Sequence, residues 1–134
     1  MIYLLDACAL IAYFKNEPGG AIVEALLLDR TLTTAIHTVN LCEVYYDFIR
    51  FAGKPTADQM IEDALGYKIE PLDYMDKEFW KTAGRYKADL KKLSLADCFA
   101  LAAAKRLNAT LVTSDHAEFD KVVPLDICEI LFIR

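Results

Sequence analysis

The sequence predicts an α/β fold in which a mainly parallel, five-stranded sheet lies between two layers of helices. Short apolar or β-branched runs alternate with longer segments of helical periodicity along all 134 residues. The first run, 2–5, is apolar without alternation, which is typical of a strand covered on both faces. We therefore expect one domain, 1–134, built as a three-layer α/β/α sandwich.

The first half of the chain contains two of the predicted strands. After the strand at 2–5, apolar residues recur at i, i+3, i+4 and i+7 over 7–14, which predicts a helix. The turn sequence "NEPGG" ends this helix, and "AIVEALLLDR" predicts the next one. The β-branched "TLTTA" (31–35) predicts the second strand. "NLCEVYYDFIRFAG" then predicts a long helix that ends at Gly53.

The second half contains the remaining strands and the most apolar helix. Pro55 opens a helix to about Leu65, "GYKIEPL" predicts a third strand, and 74–92 has an amphipathic helical pattern. "SLADCFALAAAKRLN" is apolar nearly all round, so we expect a deeply packed helix. "ATLVTSD" and "ICEILFI" predict strands four and five.

The composition limits the class of protein. A net charge of −5 argues against binding nucleic acid through an overall positive field, but it permits contact with phosphates through a divalent cation. Four scattered cysteines without a C-x-x-C pair predict reduced, mostly buried thiols and no structural zinc. No apolar run reaches the roughly 18 residues of a membrane span, so we expect a soluble, cytoplasmic protein.

Four acidic residues are predicted to meet at one edge of the sheet. In a parallel sheet, the ends of the strands and the starts of the following helices lie at the same edge, where such folds bind ligands. Asp6 ends the first strand and Asp115 the fourth. Glu43 and Asp97 are expected in the first turns of two helices. The four carboxylates should therefore face one region.

Each of these acids also has a structural interpretation as a helix cap. "SLAD" and "NLCE" resemble capping boxes, and Asp6 and Asp115 each precede a helical segment. However, Asp97 has no cation three or four residues away, and carboxylates gathered without cations repel each other. Such oxygen ligands suit Mg²⁺ or Mn²⁺. We interpret three other acids, Asp73, Asp76 and Asp120, as helix-start or turn residues.

The motifs together resemble a known family. "LLDACAL", "NLCEV", "SLADCFALAAA" and "LVTSDHAEF", in this order and at these separations, are similar to a PIN domain. The single-domain length resembles the VapC-type ribonuclease toxins of toxin–antitoxin pairs. Where many members have hydroxyl or amide side chains after the first acid, this chain has Ala7 and Cys8.

The resemblance implies roles for particular residues. It identifies Asp6, Glu43, Asp97 and Asp115 as the catalytic acids and, among them, Asp6, Asp97 and Asp115 as ligands of Mg²⁺ or Mn²⁺. Glu43 is a further ligand or a general base, and the Thr113 hydroxyl is expected to orient the site.

The resemblance also implies the reaction and the partners. It implies a metal-dependent endoribonuclease that hydrolyses RNA phosphodiester bonds, an antitoxin protein that occupies a hydrophobic groove, and a homodimer. "KTAGRYKADLKK" is either a solvated helix face or a surface that contacts RNA phosphates. Its basic residues are Lys81, Arg85, Lys87, Lys91 and Lys92.

Two other functions are compatible with the sequence. A non-catalytic binding module with a weakened metal site would account for Ala7 and Cys8. A phosphotransfer or receiver domain would need a second Asp close to Asp6 or a Lys after the fifth strand, and neither is present. We interpret both histidines, His37 and His116, first as structural residues.

Overall fold

Five parallel strands form one sheet in the computed structural model, which describes residues 1–134. The strands are β1 (Ile2–Leu5), β2 (Thr33–His37), β3 (Ile69–Leu72), β4 (Thr110–Thr113) and β5 (Ile130–Phe132). Their order across the sheet is β3-β2-β1-β4-β5, and every neighbouring pair is parallel. The predicted sheet is thereby confirmed.

Helices cover both faces of the sheet. They are α1 (Ala7–Phe14), α2 (Gly20–Leu28), α3 (Thr38–Ala52), α4 (Lys54–Gly66), α5 (Lys77–Asp89), α6 (Leu95–Leu107) and α7 (His116–Phe119), followed by a 3₁₀ turn at Val123–Leu125. Adjacent strand residues face opposite sides. Leu4 packs with α5 and α6, whereas Leu5 packs with α1, α3 and α4. Two hydrophobic cores therefore flank the sheet, as the predicted three layers require.

The second strand begins two residues later than the sequence predicted. The Thr31 N–H and hydroxyl both donate to Asp29 Oδ1, at 2.9 and 2.6 Å, which forms a turn where the strand was expected. The strand consequently extends to His37, and α3 begins at Thr38. No helix of the fold is long and apolar enough to cross a membrane.

Gly19 is expected to be the most sensitive glycine of the fold. Its φ is +93°, and a Cβ there would lie 2.6 Å from the Ile133 carbonyl oxygen. Gly19→Ala should therefore lower the free energy of unfolding by about 2–3 kcal/mol, as measured by urea denaturation. Gly84→Ala is the matched control, because a Cβ on that helical residue meets nothing within 4 Å. The control should stabilise the protein by up to about 1 kcal/mol. Equal effects at the two positions would contradict this assignment.

Candidate metal centre

The sheet order creates a crevice at one edge. From β1 the chain adds β2 and β3 on one side, and later β4 and β5 on the other. Ligands bind outside the carboxyl ends of the strands at such a reversal. Asp6 directly follows β1, and Asp115 lies two residues beyond β4. Because β1 and β4 are neighbours, both acids lie at this crevice.

The two carboxylate oxygens of Asp6 have different surroundings. The side chain is 0% exposed, and Oδ1 accepts the Ala9 N–H at 2.8 Å as the N-cap of α1. Oδ2 is buried without a hydrogen-bond donor. Burial raises the pKa of Asp6 to about 7, although the Thr113 hydroxyl and the Ala9 amide lower it. The Asp115 carboxylate raises it further, so one buried oxygen of Asp6 requires either a proton or a cation.

Three other carboxylates converge at the crevice, and the Asp6 carboxylate lies outside the group that they form. One oxygen each of Asp97, Asp115 and Glu118 lies within 4.8 Å of the others. Backbone hydrogen bonds fix them: Asp115 Oδ1 accepts the Glu118 N–H at 3.0 Å, and the Asp97 N–H donates to Ser94 Oγ at 3.2 Å. Burial raises the pKa of Asp97 well above its ordinary value, and sharing a hydrogen bond with Glu118 raises it further. The nearby charge of Asp6 acts in the same direction.

No cation of the protein neutralises this cluster. The ion pairs of the structure involve other carboxylates, those of Glu17, Asp47, Asp58, Asp76 and Asp120. Oxygen ligands without a protein counter-ion are the donor set of hard divalent cations. The three converging carboxylates, with the buried Asp6 carboxylate near Asp97 and Asp115, therefore form a donor set that fits a hard divalent cation.

Glu43 faces the same region from α3, but from a different place than predicted. It is the sixth residue of the helix rather than a first-turn residue, because α3 begins at Thr38. Its side chain is half-buried, and burial raises its pKa. The carboxylates of Glu118 and Asp47 raise the pKa further. Glu43 thus lies beside the cluster on the side of Glu118.

The predicted capping box at "NLCE" is wrong, and another residue caps α3. His37 Nδ1 accepts the Val39 N–H at 3.2 Å, and its Nε2 lies 3.1 Å from the Tyr74 carbonyl oxygen. Asn40 is buried inside the helix, where its Nδ2 donates to the Ala96 carbonyl at 3.3 Å. Asn40 thereby joins the helix that carries Glu43 to the first turn of α6.

Thr113 and Cys8 surround the acids. The Thr113 hydroxyl oxygen accepts the Asp115 N–H at 3.0 Å, and this hydroxyl lowers the pKa of Asp6. Burial is the main reason why the pKa of the Cys8 thiol is raised to about 12. The negative charges of nearby acids also raise it, and these acids are Asp6, Asp97, Asp115 and Glu43. The Cys8 side chain is therefore a neutral thiol near the four predicted acids. All four cysteines are unpaired, but only Cys98 is fully buried, contrary to the prediction.

Glu118 is the acid that the sequence reasoning missed. It lies at the third position of α7, three residues after the N-cap Asp115. Its Oε2 accepts the Ser94 N–H at 3.5 Å, where a capping box would place the carboxylate of Asp97. The spacing D-x-x-E in "DHAEF" was a local signal for this residue.

The basic residues predicted to contact RNA divide into separate groups. Arg106, near the end of α6, forms a bidentate pair with Asp76, the N-cap of α5. Lys81 and Arg85 line a separate shallow cavity together with Lys77. By contrast, the turn that contains Lys91 and Lys92 connects directly to the first turn of α6.

The other predicted structural residues have packing or hydrogen-bonding roles. His116 stacks on Phe132 with 4.0 Å between ring centroids, and a hydrogen bond to Asp120 raises the pKa of His116. On α5, Phe79 is buried in the core, whereas the neighbouring Trp80 is 47% exposed.

The PIN domain model of protein families matches residues 3–123, and the chain therefore belongs to the PIN domain family. This membership removes the receiver-domain alternative. No curated protein matches the sequence significantly.

Several solved structures with the same fold are VapBC proteins. The chain matches VapBC2 from Rickettsia felis, bound to a DNA fragment from its promoter, with a TM-score of 0.76 and 22% identity over 98% of each chain. VapBC-1 from nontypeable Haemophilus influenzae matches with a TM-score of 0.74 and 22% identity, over 99% of this chain and 98% of that one. VapBC-5 of Mycobacterium tuberculosis, from a family of toxin–antitoxin systems, matches at 0.66 and 18% over 98% of each. The expected similarity of fold to VapC-type proteins is confirmed.

Proposed function

We propose that this chain is an Mg²⁺- or Mn²⁺-dependent endoribonuclease and the toxin of a toxin–antitoxin pair. The observation that carries the proposal is the convergence of the Asp97, Asp115 and Glu118 carboxylates, without a protein cation, near the buried carboxylate of Asp6. This arrangement lies at the ligand-binding edge of a PIN domain.

We assign separate roles in the reaction to the acidic residues. Asp6, Asp97 and Asp115 would hold the metal, together with Glu118. When bound at these oxygens, a divalent cation would lower the pKa of a water and would offset the charge that develops on the phosphate. We assign Glu43, which is half-buried and has a raised pKa, as the base that accepts the proton of the attacking water. As the new oxygen–phosphorus bond forms, the bond to the 3′ oxygen breaks, and the 3′ oxygen takes up a proton from solvent.

Thr113 and the helix caps hold these groups in place. Thr113 fixes the backbone of Asp115, while Ser94 fixes the backbone of Asp97. Neither histidine is needed as a base, because His37 caps α3 and His116 is held by Asp120 and the Arg134 carbonyl. We therefore assign the role of the base to a carboxylate rather than to a histidine.

Cleavage of single-stranded RNA by the purified protein tests this function. Mg²⁺ or Mn²⁺ should support cleavage, and EDTA should stop it. Asp97→Asn should lower the rate about 100-fold or more, because the substitution removes one charge from the cluster. The matched control is Asp63→Asn, since Asp63 is an exposed α4 residue that pairs only with Gln59. Metal-independent cleavage, or equal rates for the two variants, would refute the proposal.

A second candidate, a non-catalytic PIN-fold binding module, rests on Cys8. Its thiol lies near the four acids, where the resemblance leads us to expect a hydroxyl or amide. This candidate predicts an intact fold that neither binds a divalent cation nor cleaves RNA. The cleavage measurement above separates the two candidates.

The partner part of the proposal concerns the groove between α3 and α4. A cavity of about 540 Å³ there is lined by apolar residues, including Leu41, Tyr45 and Ile61, and by Asp58 and Glu62. This combination suits an amphipathic, basic segment of an antitoxin. Co-expression with the product of the adjacent reading frame should yield a complex that no longer cleaves RNA.

We also propose that the protein acts as a cytoplasmic homodimer. Large apolar side chains remain exposed on this single chain, among them Leu28, Phe51 and Leu95. Exposed apolar surface of this kind favours association. Light scattering on the purified chain should give twice the 15.1 kDa mass of one chain.

A further inference from the structure

We propose that a lysine-lined cavity next to Glu118 binds the backbone phosphates of the RNA beside the cleavage site. The three cationic residues are Lys91, Lys92 and Lys121, and Lys121 was not a candidate in the sequence. The inference rests on the proposed ribonuclease function, since it assigns how the same site holds its substrate.

The cavity adjoins the acid cluster. Its volume is about 270 Å³, and Glu118 forms part of its wall. One oxygen of Glu118 lies within 4.8 Å of oxygens of Asp97 and Asp115. A ligand in the cavity therefore lies directly beside the groups that would act on a phosphodiester bond.

Lys87 fixes the turn that presents two of the lysines. Its Nζ donates to the carbonyls of Lys91 and Leu93, at 3.0 and 2.7 Å. The Leu93 N–H donates to the Leu90 carbonyl at 2.9 Å, which closes the turn. Lys87 is thus a positioning residue for this turn rather than a free cation. This accounts for one of the five basic residues of "KTAGRYKADLKK".

The ammonium groups of the three lysines are not held by any group of the protein. All three are exposed, and none forms an ion pair or a side-chain hydrogen bond. The cavity also contains two carboxylates, Asp89 and Glu118. When Glu118 contributes to holding a metal, its charge is offset, and the balance of the cavity becomes more positive.

A polyanion is the ligand that this arrangement favours. The whole chain carries a net charge of −5, so RNA must be held by a local concentration of cations. Lysine binds phosphate as a point charge and does not read the base. A strand with one phosphate at the acid cluster necessarily extends its neighbouring phosphates away from that cluster. The lysine cavity lies on one such path.

Metal-free binding of RNA tests the inference apart from the chemistry. In EDTA, the anisotropy of a short fluorescent single-stranded RNA gives the affinity as a function of salt. The triple variant K91A/K92A/K121A should reduce the slope of log affinity against log salt by about 2, at roughly 0.7 for each lost phosphate contact. With metal present, the same variant should raise KM and leave kcat largely unchanged.

The control removes the same amount of charge from residues that do not line the cavity. Arg30 precedes β2, while Lys77 and Lys105 lie at the start of α5 and near the end of α6. R30A/K77A/K105A should keep the wild-type slope, and K91R/K92R/K121R should retain binding because it keeps the charges. Circular dichroism checks that all three variants fold.

The outcomes separate the two proposals. If the wild type cleaves RNA but the lysine variant and the control have equal slopes, the lysine inference is overturned and the ribonuclease function stands. If the wild type neither binds nor cleaves RNA, both proposals fall.

Discussion

Asp6→Asn is expected to lower metal-dependent cleavage of RNA by about 100-fold or more while leaving the protein folded. The asparagine oxygen can still accept the Ala9 N–H and cap α1. Its amide nitrogen replaces the donor-free Oδ2, which removes the charge from the buried part of the metal centre. Cleavage of a labelled RNA and a thermal melt of the same sample measure both effects.

Asp73→Asn is the matched control for this substitution. Asp73 directly follows β3, at the same edge of the sheet, but it is exposed and outside the acid cluster. This variant should cleave RNA at the wild-type rate. An Asp6→Asn protein that retains full metal-dependent activity would contradict both the assigned metal centre and the mechanism.

The second large effect is a gain in thermal stability when the metal binds. At a free metal concentration of one hundred times Kd, binding to the folded state alone adds about 2.7 kcal/mol. For a chain of this size, that corresponds to a rise in Tm of about 10 °C. Thermal melts with Mg²⁺ or Mn²⁺ measure the shift. Asp6→Asn should lose most of it, and Asp73→Asn should keep it.

The stability of the metal-free protein should also depend on pH in a defined direction. Burial raises the pKa of Asp6 to about 7, so the folded state holds a proton that the unfolded chain releases near pH 4. The stabilising contribution is therefore complete below about pH 4 and is lost as the pH rises through about 7. The loss is up to about 4 kcal/mol.

Urea denaturation of metal-free samples across this pH range measures the loss. The metal-induced stabilisation should increase over the same range, because protons and the cation compete for Asp6. A pH-independent stability in the metal-free protein, with no difference between wild type and Asp6→Asn, would contradict this assignment.

The order of strands and helices could be predicted from the sequence, because it depends on local patterns of apolar residues. The boundaries of these elements were predicted less well, because they depend on hydrogen bonds of single side chains, and the pattern does not show the partners in these bonds. Thr31 has a β-branched side chain typical of a strand, yet its hydroxyl bonds to Asp29 and forms a turn. Asn40 is a favourable N-cap by type, yet the cap is His37.

Only the part of the candidate site that lies at the ends of strands could be predicted from the order of the elements. Asp6 and Asp115 follow neighbouring strands, and their meeting follows from the parallel sheet. Glu118 joins them because the short α7 folds back over the crevice, a contact between segments that no local pattern specifies. For the same reason Lys121, beyond α7, and Lys91 are separated in sequence but line one cavity.

Because the two oxygens of Asp6 have different roles, a mutation at this residue can remove the activity without unfolding the protein. One base change converts an Asp codon to an Asn codon, and the resulting side chain keeps the cap while losing the charge. An inactivated gene copy would therefore encode a folded protein that still presents the groove between α3 and α4. If the proposed antitoxin occupies this groove, such a copy would compete with the active protein for the antitoxin, and a silenced duplicate would increase the fraction of active protein that is free.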